Sequence, residues 1–310
     1  MGTSWSVTYG QAGSELGPQE LSRLISERLE AVNASMSTYR DDSELMQFNL
    51  AGVGQSVLLS GDLRTVLGTA LLVGESSGGA YDVTVAPLVD LWGFGPDGPA
   101  QGVPSDDQIE ARMSSVGQQY LQLGDAGTIS KSQAVQVDLS SIAKGFGVDA
   151  VADVLENVGV SDYLAEVGGE MRLAGRSPRG DDWRVAIESP EPGQRGVALA
   201  FSATNIAVAT SGDYRNFYEV DGVRYSHSID ARSGRPVRHD LVSVTVLHES
   251  AMWADAWATA LTILGHDAAL SIANQRGLAV YLIRRDQDAL VVEYSGGFVP
   301  YLPDDQRASL

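Results

Sequence analysis

Helix-type and strand-type segments follow one another irregularly along this chain, and that irregularity restricts the fold more than any other feature. Apolar residues recur at helical spacing, which predicts helices over residues 18–33, 62–75, 141–158 and 250–264. Short β-type runs between turn residues predict strands at residues 4–9, 163–167, 183–187, 197–201, 205–210, 242–247, 279–284 and 289–294. Because these segments do not follow a regular strand–helix–strand order, we expect an α+β fold.

Length and charge restrict the domain organisation and the ligands. The 310 residues allow one large domain or two lobes that share a core. Since no stretch has the composition of a linker, we expect a single domain over residues 1–310. The net charge of −19 repels phosphate backbones, so we expect no nucleic-acid partner. A phosphate ligand would need local cations or a metal ion to overcome this field.

The sequence contains no cysteine, which excludes disulfides, cysteine-ligated zinc, iron–sulfur clusters and thiol nucleophiles. No stretch approaches the roughly 18 apolar residues of a membrane-spanning helix. No basic segment followed by an apolar run stands at the start of the printed sequence. We therefore expect neither a spanning segment nor a secretory leader within these residues.

Two formal motif matches do not fit the context that their chemistry requires. Gly93-Phe-Gly-Pro-Asp-Gly matches the dinucleotide fingerprint, but the prolines within and after it argue against a helix that follows directly. Gly74-Glu-Ser-Ser-Gly matches the nucleophile elbow, but a helical pattern precedes it where a strand is required. The sequence therefore favours neither a Rossmann dehydrogenase nor an α/β-hydrolase.

Asp255 and Thr259 are four residues apart in a predicted helix, so they share one face. A carboxylate and a hydroxyl on one face suit a hard cation such as Mg²⁺, which prefers oxygen ligands. The alternative is a buried aspartate that accepts a hydrogen bond from the threonine, and the spacing alone does not exclude it.

The segment Asp138-Leu-Ser-Ser-Ile-Ala-Lys144-Gly predicts a helix N-terminus. A strand-like run, Ala134–Leu139, leads into the helix through Ser140 and Ser141, which are good N-caps. A helix N-terminus beside Lys144 would attract an anion. The alternative is a capped helix with an exposed lysine.

Two further segments carry groups that suit catalysis or ligand binding. His227, in Tyr225-Ser-His-Ser-Ile-Asp230, could take a proton from an attacking hydroxyl, or could be a hydrogen-bonded structural histidine. In Glu166-Val-Gly-Gly-Glu170, the adjacent glycines allow a ligand to approach the backbone closely. A tight turn or a β-bulge is the alternative there.

Taken together and in their order, the motifs of this chain resemble those of the bacterial ApbE family of FAD:protein FMN transferases. The resemblance covers nearly the whole chain. It depends on the segments Met1-Gly-Thr, Met36-Ser-Thr-Tyr-Arg-Asp-Asp-Ser-Glu, Gly79-Ala-Tyr-Asp-Val-Thr-Val-Ala-Pro-Leu-Val-Asp-Leu-Trp-Gly-Phe-Gly, Asp138-Leu-Ser-Ser-Ile-Ala-Lys-Gly, Val167-Gly-Gly-Glu, Ala209-Thr-Ser-Gly-Asp-Tyr-Arg, Tyr225-Ser-His-Ser-Ile-Asp-Ala-Arg-Ser-Gly-Arg-Pro and Ala254-Asp-Ala-Trp-Ala-Thr-Ala-Leu. Ala231 replaces a proline, and Tyr81 a phenylalanine, that the family often has.

The resemblance implies a T-fold-like unit of helices and antiparallel sheet, in one domain or two lobes, and a reaction. FAD would be split at its pyrophosphate, and the FMN half would be joined by a phosphoester bond to a threonine or serine of a target protein, releasing AMP. The magnesium ligands would be Asp255, Thr259 and the backbone carbonyl of Ala143. His227 would deprotonate the acceptor hydroxyl, so His227 and Asp255 are the expected catalytic residues.

The resemblance also implies which residues contact FAD and where the protein works. The expected FAD-binding residues are Met1, Tyr39, Ala80, Tyr81, Asp82, Asp138, Lys144, Gly168, Gly169, Glu170, Ser226 and Ile229. Tyr39 is expected to stack on the isoalloxazine ring. The acceptors would be flavin-carrying subunits of membrane redox complexes, and the location the periplasm or the outer face of the cytoplasmic membrane. An FAD pyrophosphatase and a flavin-storage protein are the alternative functions.

Overall fold

The computed structural model of the chain describes residues 2–10, 16–95, 98, 102–125, 127–191, 196–212, 216–287 and 289–307. These residues divide into two units. The first unit comprises residues 30–143 and 215–238, and the second comprises residues 2–29, 144–214 and 239–310, each without its undescribed positions. That residues 1–310 form a single domain stays a prediction.

The helices of the described residues are, in chain order, α1 (Pro18–Met36), α2 (Glu44–Leu50), α3 (Gly61–Ser76), α4 (Ala86–Leu91), α5 (Asp106–Met113), α6 (Ala143–Asn157), α7 (Ala251–Leu264), α8 (His266–Arg276) and α9 (Asp304–Arg307). Helix α1 has apolar residues at helical spacing, and Leu21, Ile25, Leu29 and Val32 of this face are buried. Within the part of the chain that the structure describes, no helix is both long enough and apolar enough to cross a membrane.

The strands are β1 (Trp5–Tyr9), β2 (Val57–Leu58), β3 (Leu121–Leu123), β4 (Thr128–Lys131), β5 (Tyr163–Val167), β6 (Glu170–Ala174), β7 (Trp183–Glu188), β8 (Val197–Ala203), β9 (Ile206–Gly212), β10 (Phe217–Val220), β11 (Val223–Ser226), β12 (Ile229–Asp230), β13 (Arg235–Pro236), β14 (Leu241–His248), β15 (Ala279–Asp286) and β16 (Ala289–Tyr294). All their recorded pairings are antiparallel, which together with the helices confirms the predicted α+β class.

The second unit is built on a seven-stranded sheet in the order β1-β5-β6-β9-β14-β15-β16. Helix α7 packs on β9 and β14 at the middle of this sheet. Every residue of β14 except His248 is buried, as expected for a central strand. Its register pairs Val244 with Ser211 and Thr245 with Thr210. The register therefore places the hydroxyl residues of β9 beside the strand that supports α7.

The local sequence explains where helix α7 begins and ends. Ser250 caps its N-terminus by accepting a hydrogen bond from the Trp253 amide, and the helix ends at Gly265, whose φ is +79°. Five alanines lie within it, and all five are buried. Small side chains let a helix approach its neighbours closely, so α7 can pack tightly on the sheet and on α6.

The first unit contains helices α2 to α5, the three-stranded sheet β2-β4-β3 and the hairpins β10–β11 and β12–β13. One of its cores is aromatic, with Trp92 and Tyr225 buried beside Leu88, Ile109 and Ile229. Hairpin β10–β11 turns through Asp221 and Gly222, both of which have positive φ, the usual arrangement for a two-residue hairpin turn. The hairpin ends one residue before His227.

The sequence patterns located four of the nine helices and eight of the sixteen strands of the described residues, and some of their predictions were wrong. The predicted helices correspond to α1, α3, α6 and α7, and the predicted strands to β1, β5, β7, β8, β9, β14, β15 and β16. Residues 134–139, predicted as a strand, have no regular secondary structure. Helix α8 continues the chain directly after Gly265, where the pattern indicated only a helix end. The glycine- and proline-rich segment at residues 93–104 is also predicted to be a loop. Of this segment, residues 96, 97 and 99–101 lie outside the described part of the chain.

Candidate functional site

Asp255 is the only charged residue of helix α7, and its side chain is buried, with the residue 2% exposed. The amide of Gly145 donates a hydrogen bond to Asp255 Oδ2 at 2.9 Å. The ammonium of Lys144 donates to Asp255 Oδ1 at 3.4 Å. A buried carboxylate is costly unless it is paired and hydrogen-bonded. The first turn of α6 therefore supplies the partners that keep Asp255 in place.

Glu170, the first residue of β6, lies against the same lysine. Lys144 Nζ donates to Glu170 Oε1 at 2.5 Å, and the glutamate is 3% exposed. Its second oxygen, Oε2, is buried and has no hydrogen-bond partner among the described residues. We call Lys144, Glu170 and Asp255 the acidic cluster. It brings together three residues that the sequence placed at the site.

The acidic cluster has two carboxylates and one ammonium, and the pKa values reflect that imbalance. Burial raises the pKa of Asp255 above its ordinary value. Burial and, next, the Asp255 charge raise the pKa of Glu170 to about 7. Burial lowers the pKa of Lys144, but Asp255 and Glu170 more than offset this and hold it above its ordinary value. An added cation would neutralise the excess negative charge.

Thr259 lies one turn after Asp255 on α7, and it is half-buried. Its hydroxyl is 3.1 Å from the Ser211 hydroxyl of β9. Among the hydrogen bonds of the described residues, Thr259 therefore pairs with Ser211 and not with Asp255. The alternative of a simple aspartate–threonine hydrogen bond is not the arrangement observed.

The oxygen atoms around the acidic cluster suit a magnesium ion. The unpartnered Glu170 Oε2 and the Asp255 carboxylate are hard donors, and the Thr259 hydroxyl lies on the Asp255 face of the helix. Ala143, whose carbonyl was the third expected ligand, directly precedes Lys144 and begins α6. No group of three or more His, Cys, Asp or Glu side chains is placed to hold a metal within the described residues. Hydroxyl, carbonyl, water or phosphate oxygens would have to complete the coordination shell, so this ligand set stays a prediction.

Gly145 was not singled out from the sequence, yet its backbone is central to the acidic cluster. A Cβ atom added at Gly145 would lie 2.2 Å from the Ala251 carbonyl oxygen and 2.7 Å from Asp255 Cβ. Only glycine therefore allows α6 and α7 to approach closely enough for the amide to reach Asp255. The sequence offered one indication of this close approach, namely the glycine that directly follows Lys144.

The sequence patterns also did not indicate Asp149, whose carboxylate holds the beginning of α7. Its carboxylate accepts hydrogen bonds from the Ser250 hydroxyl at 2.7 Å and from the Ala251 and Met252 amides at 3.0 Å each. Arg172 donates to it at 2.9 Å. These bonds cap the free amides at a helix N-terminus. Asp149 is four residues after Gly145, so helical spacing alone could have placed both on one face.

Gly168 and Gly169 form the two-residue turn between β5 and β6, with φ values of +64° and +103°. A Cβ atom at Gly168 would lie 2.9 Å from the Thr3 side chain and 3.2 Å from Lys144 Cδ. The tight-turn interpretation is therefore correct, and the turn brings Glu170 to Lys144. Contact of these glycines with a ligand stays a prediction.

In the first unit, Ala80, Tyr81 and Asp82 lie in a buried turn that follows α3. The Tyr81 hydroxyl accepts a hydrogen bond from the Ser141 hydroxyl at 2.9 Å. Asp82 accepts bonds from the Thr84 amide at 2.8 Å, the Thr84 hydroxyl at 2.6 Å and the Gln118 amide at 2.8 Å. The Asp82 carboxylate therefore organises the local backbone, and its expected contact with FAD stays a prediction.

Asp138 shapes the turn before α6. Its amide donates to the Val83 carbonyl at 2.7 Å, and its carboxylate accepts from the Ser140 amide at 2.6 Å. The aspartate thus makes the turn that the sequence analysis assigned to capping serines, while Ser141 bonds to Tyr81. Short local hydrogen bonds of this kind are what aspartate provides in turns.

The remaining expected FAD contacts differ in exposure. Tyr39, in the turn after α1, is 73% exposed, so its ring is accessible. Ser226 is buried, and its hydroxyl accepts a hydrogen bond from the Ser228 amide at 3.1 Å. Ile229 is buried in β12. Met1 lies outside the described residues. The role of each in FAD binding stays a prediction.

His227 follows hairpin β10–β11 and is partly exposed. Its Nδ1 atom lies 3.1 Å from the Asn216 carbonyl oxygen, and its backbone amide also donates to that oxygen at 3.3 Å. A carbonyl can only accept, so Nδ1 carries the proton in this arrangement and Nε2 of the neutral ring is the basic atom. Asp230 is bonded to Arg232.

The described residues thus form an antiparallel α+β fold that holds a buried cluster of one lysine and two carboxylates. The family model described as "ApbE family" matches residues 1–282, and the chain belongs to this family.

Similar proteins agree with this family over nearly the full length. A "FAD:protein FMN transferase" of Vibrio cholerae is 43% identical over 303 residues, which is 97% of this chain and 90% of that protein. A protein of the same name from Haemophilus influenzae is 42% identical, covering 96% of this chain and 88% of that protein.

Solved structures support the same conclusion. The structure described as "Flavin Transferase ApbE from Vibrio cholerae" has a TM-score of 0.91 and 42% identity, covering 97% of this chain and 96% of that one. The apo form of a Pseudomonas stutzeri flavinyl transferase ApbE has a TM-score of 0.90 and 36% identity, covering 97% of this chain and 94% of that one.

Proposed function

We propose that this chain is an FAD:protein FMN transferase. The observation that carries the proposal is the match to the ApbE family over residues 1–282, with full-length relatives of that name at 42–43% identity. The acidic cluster also supports the proposal. A phosphoryl-transfer enzyme of net charge −19 needs a local cation at its phosphate site, and the excess negative charge of the cluster would attract one.

The reaction exchanges the phosphoanhydride linkage of FAD for a phosphoester linkage to the acceptor protein. The oxygen of an acceptor threonine or serine forms a bond to the phosphorus of the FMN half of FAD. The bond between that phosphorus and the bridging pyrophosphate oxygen breaks, and AMP leaves with the bridging oxygen. The proton of the acceptor hydroxyl goes to a base.

The residues of this chain have separate tasks in that reaction. His227 Nε2 takes the acceptor proton, since Nδ1 already donates to the Asn216 carbonyl. Asp255, Thr259 and the Ala143 carbonyl hold Mg²⁺, which when bound stabilises the negative charge on the transferring phosphate. Lys144 stays protonated between Glu170 and Asp255 and adds positive charge at the site.

FAD would be held by the residues that the family resemblance implies, with the exposed ring of Tyr39 stacked on the isoalloxazine. The acceptor would be a flavin-carrying subunit of a membrane redox complex. Such an acceptor would place the reaction in the periplasm or on the outer face of the cytoplasmic membrane of a bacterium.

The test mixes the protein with FAD, Mg²⁺ and a flavin-carrier subunit from the same genome, with EDTA as a control. The intact mass of the carrier and the free AMP are measured together. We expect a mass gain equal to FMN less water, an equal amount of AMP, and loss of both in EDTA. AMP with free FMN and no mass gain would instead indicate an FAD pyrophosphatase. FAD that stays bound and intact would indicate flavin storage.

A further inference from the structure

His227 lies beside a stack of aromatic rings in the first unit. The rings of Trp92 and Tyr225 are 5.5 Å apart at 26°, those of Tyr225 and Tyr218 are 5.3 Å apart at 20°, and those of Tyr218 and Phe94 are 5.4 Å apart at 29°. The Phe94 ring meets the His227 imidazole edge to face, with centroids 6.3 Å apart at 66°. We call the four rings Trp92, Tyr225, Tyr218 and Phe94 the aromatic ladder.

The aromatic ladder is fixed at the end away from His227. Trp92 is fully buried, and its Nε1 donates a 2.8 Å hydrogen bond to the Gly234 carbonyl. The guanidinium of Arg238 lies 4.9 Å from the centre of the Tyr225 ring. Offset stacking restricts each ring through its neighbour. Phe94 is therefore connected through the partly buried Tyr218 to the buried rings of Tyr225 and Trp92.

The Asn216 carbonyl and the Phe94 ring both constrain the imidazole. The Asn216 carbonyl selects the tautomer with a proton on Nδ1, but a hydrogen bond leaves the ring free to rotate about its Cβ–Cγ bond by moderate angles. The Phe94 ring limits that rotation from the side. Together they hold Nε2 in one direction.

We propose that Phe94 is a positioning residue for His227: the aromatic ladder holds the imidazole so that its Nε2 atom faces the acceptor hydroxyl. The catalytic consequence rests on the proposed function of His227 as the proton acceptor. The orientation and tautomer of the ring are properties of the structure and do not depend on that role.

The test compares three variants with the unaltered protein. F94L keeps apolar volume but removes the ring, whereas F94Y restores a ring at this position. Y218F is the matched control, because it removes only a buried hydroxyl that has no hydrogen-bond partner among the described residues. Two readouts are needed. Long-range ¹H–¹⁵N spectra of the histidines report the His227 tautomer, and transfer kinetics report kcat and the KM for FAD.

In F94L we expect the imidazole to rotate away from the Asn216 carbonyl, which would give a mixture of His227 tautomers. We also expect a kcat lower by about tenfold, because small misplacements of a reacting group are costly. The KM for FAD should stay unchanged. F94Y and Y218F should keep the single tautomer and most of the kcat. An F94L protein with an unchanged tautomer would overturn the proposal, whether its kcat is retained or falls together with its thermal stability.

If His227 does not have the proposed role of base, the experiments give a different result. If H227A transfers FMN as fast as the unaltered protein, His227 is not the base, yet the spectra of F94L still show whether Phe94 orients the ring. The two hypotheses are therefore tested by separate measurements, the transfer rate of H227A and the histidine spectra of F94L.

Discussion

The amide of Gly145 donates a 2.9 Å hydrogen bond to the buried carboxylate of Asp255. This bond joins the first turn of α6 to the middle of α7, and it exists because the two helices approach closely at a residue without a side chain. The expected metal ligand on α7 is thus positioned by a backbone group on α6.

Replacing Gly145 by alanine should lower the free energy of unfolding of the protein and weaken its binding of Mg²⁺. The new Cβ would lie 2.2 Å from the Ala251 carbonyl, so one helix must move. Overpacking of this kind costs roughly 1–3 kcal/mol. Gly68→Ala is the control, since a Cβ there meets open space within α3, and it should be neutral or stabilise by up to about 1 kcal/mol. Urea unfolding measures both, and equal stabilities would show that α6 and α7 have room to adjust.

Replacing Asp149 by alanine should loosen the start of α7. Three donors at the helix N-terminus lose their acceptor, and Arg172 loses its 2.9 Å partner. We expect a loss of about 1–3 kcal/mol in the free energy of unfolding. Asp153→Ala, an exposed change one turn later on α6, should cost under about 0.5 kcal/mol. A similar loss in both variants would contradict the capping role.

Replacing Asp255 by asparagine should nearly abolish transfer, while FAD binding partly survives. The proposed metal ion would act on charge that develops in the transition state, so its loss should affect turnover more than ground-state binding. Mg²⁺ affinity by calorimetry and turnover by AMP release are the two measurements, with Asp153→Asn as a control of equal charge change. Unchanged turnover would remove Asp255 from the site.

Replacing His227 by alanine should slow transfer by roughly 10²–10⁴, the usual contribution of a general base. The single-turnover rate at saturating FAD measures this step. His266→Ala, a change in α8 at a histidine paired with Glu293, is the matched control and should keep the rate. A loss under about tenfold would assign the proton transfer to another group.

Replacing Tyr39 by alanine should weaken FAD binding without affecting folding. The side chain is 73% exposed, so its removal should change the free energy of unfolding by less than about 0.5 kcal/mol. Loss of aromatic stacking should reduce FAD affinity by about three- to tenfold. Tyr39→Phe keeps the ring and should bind like the unaltered protein. Fluorescence titrations with FAD distinguish the two, and coinciding curves for the alanine variant would refute the stacking.

The local sequence predicted those helices and strands whose characteristic residue pattern lies within the segment itself. The apolar spacing of α1, the capped and alanine-rich α7 and the β-type run of β14 each identify their structure without help from distant residues. Short polar elements escaped because their signals are weak. Helix α5 begins with a capping box formed by Ser105 and Gln108, a signal that could have located it.

For the site, the sequence indicated Lys144, Glu170, Asp255 and His227 from their residue types and from the family resemblance. Only the tertiary structure brought Lys144, Glu170 and Asp255 within hydrogen-bond distance, because they come from α6, β6 and α7. It alone revealed the partners that hold α7, Gly145 and Asp149, and the ring that meets His227, Phe94. Periodicity along a chain reports which face a residue shares with its near neighbours, whereas contacts between distant segments depend on how those faces pack.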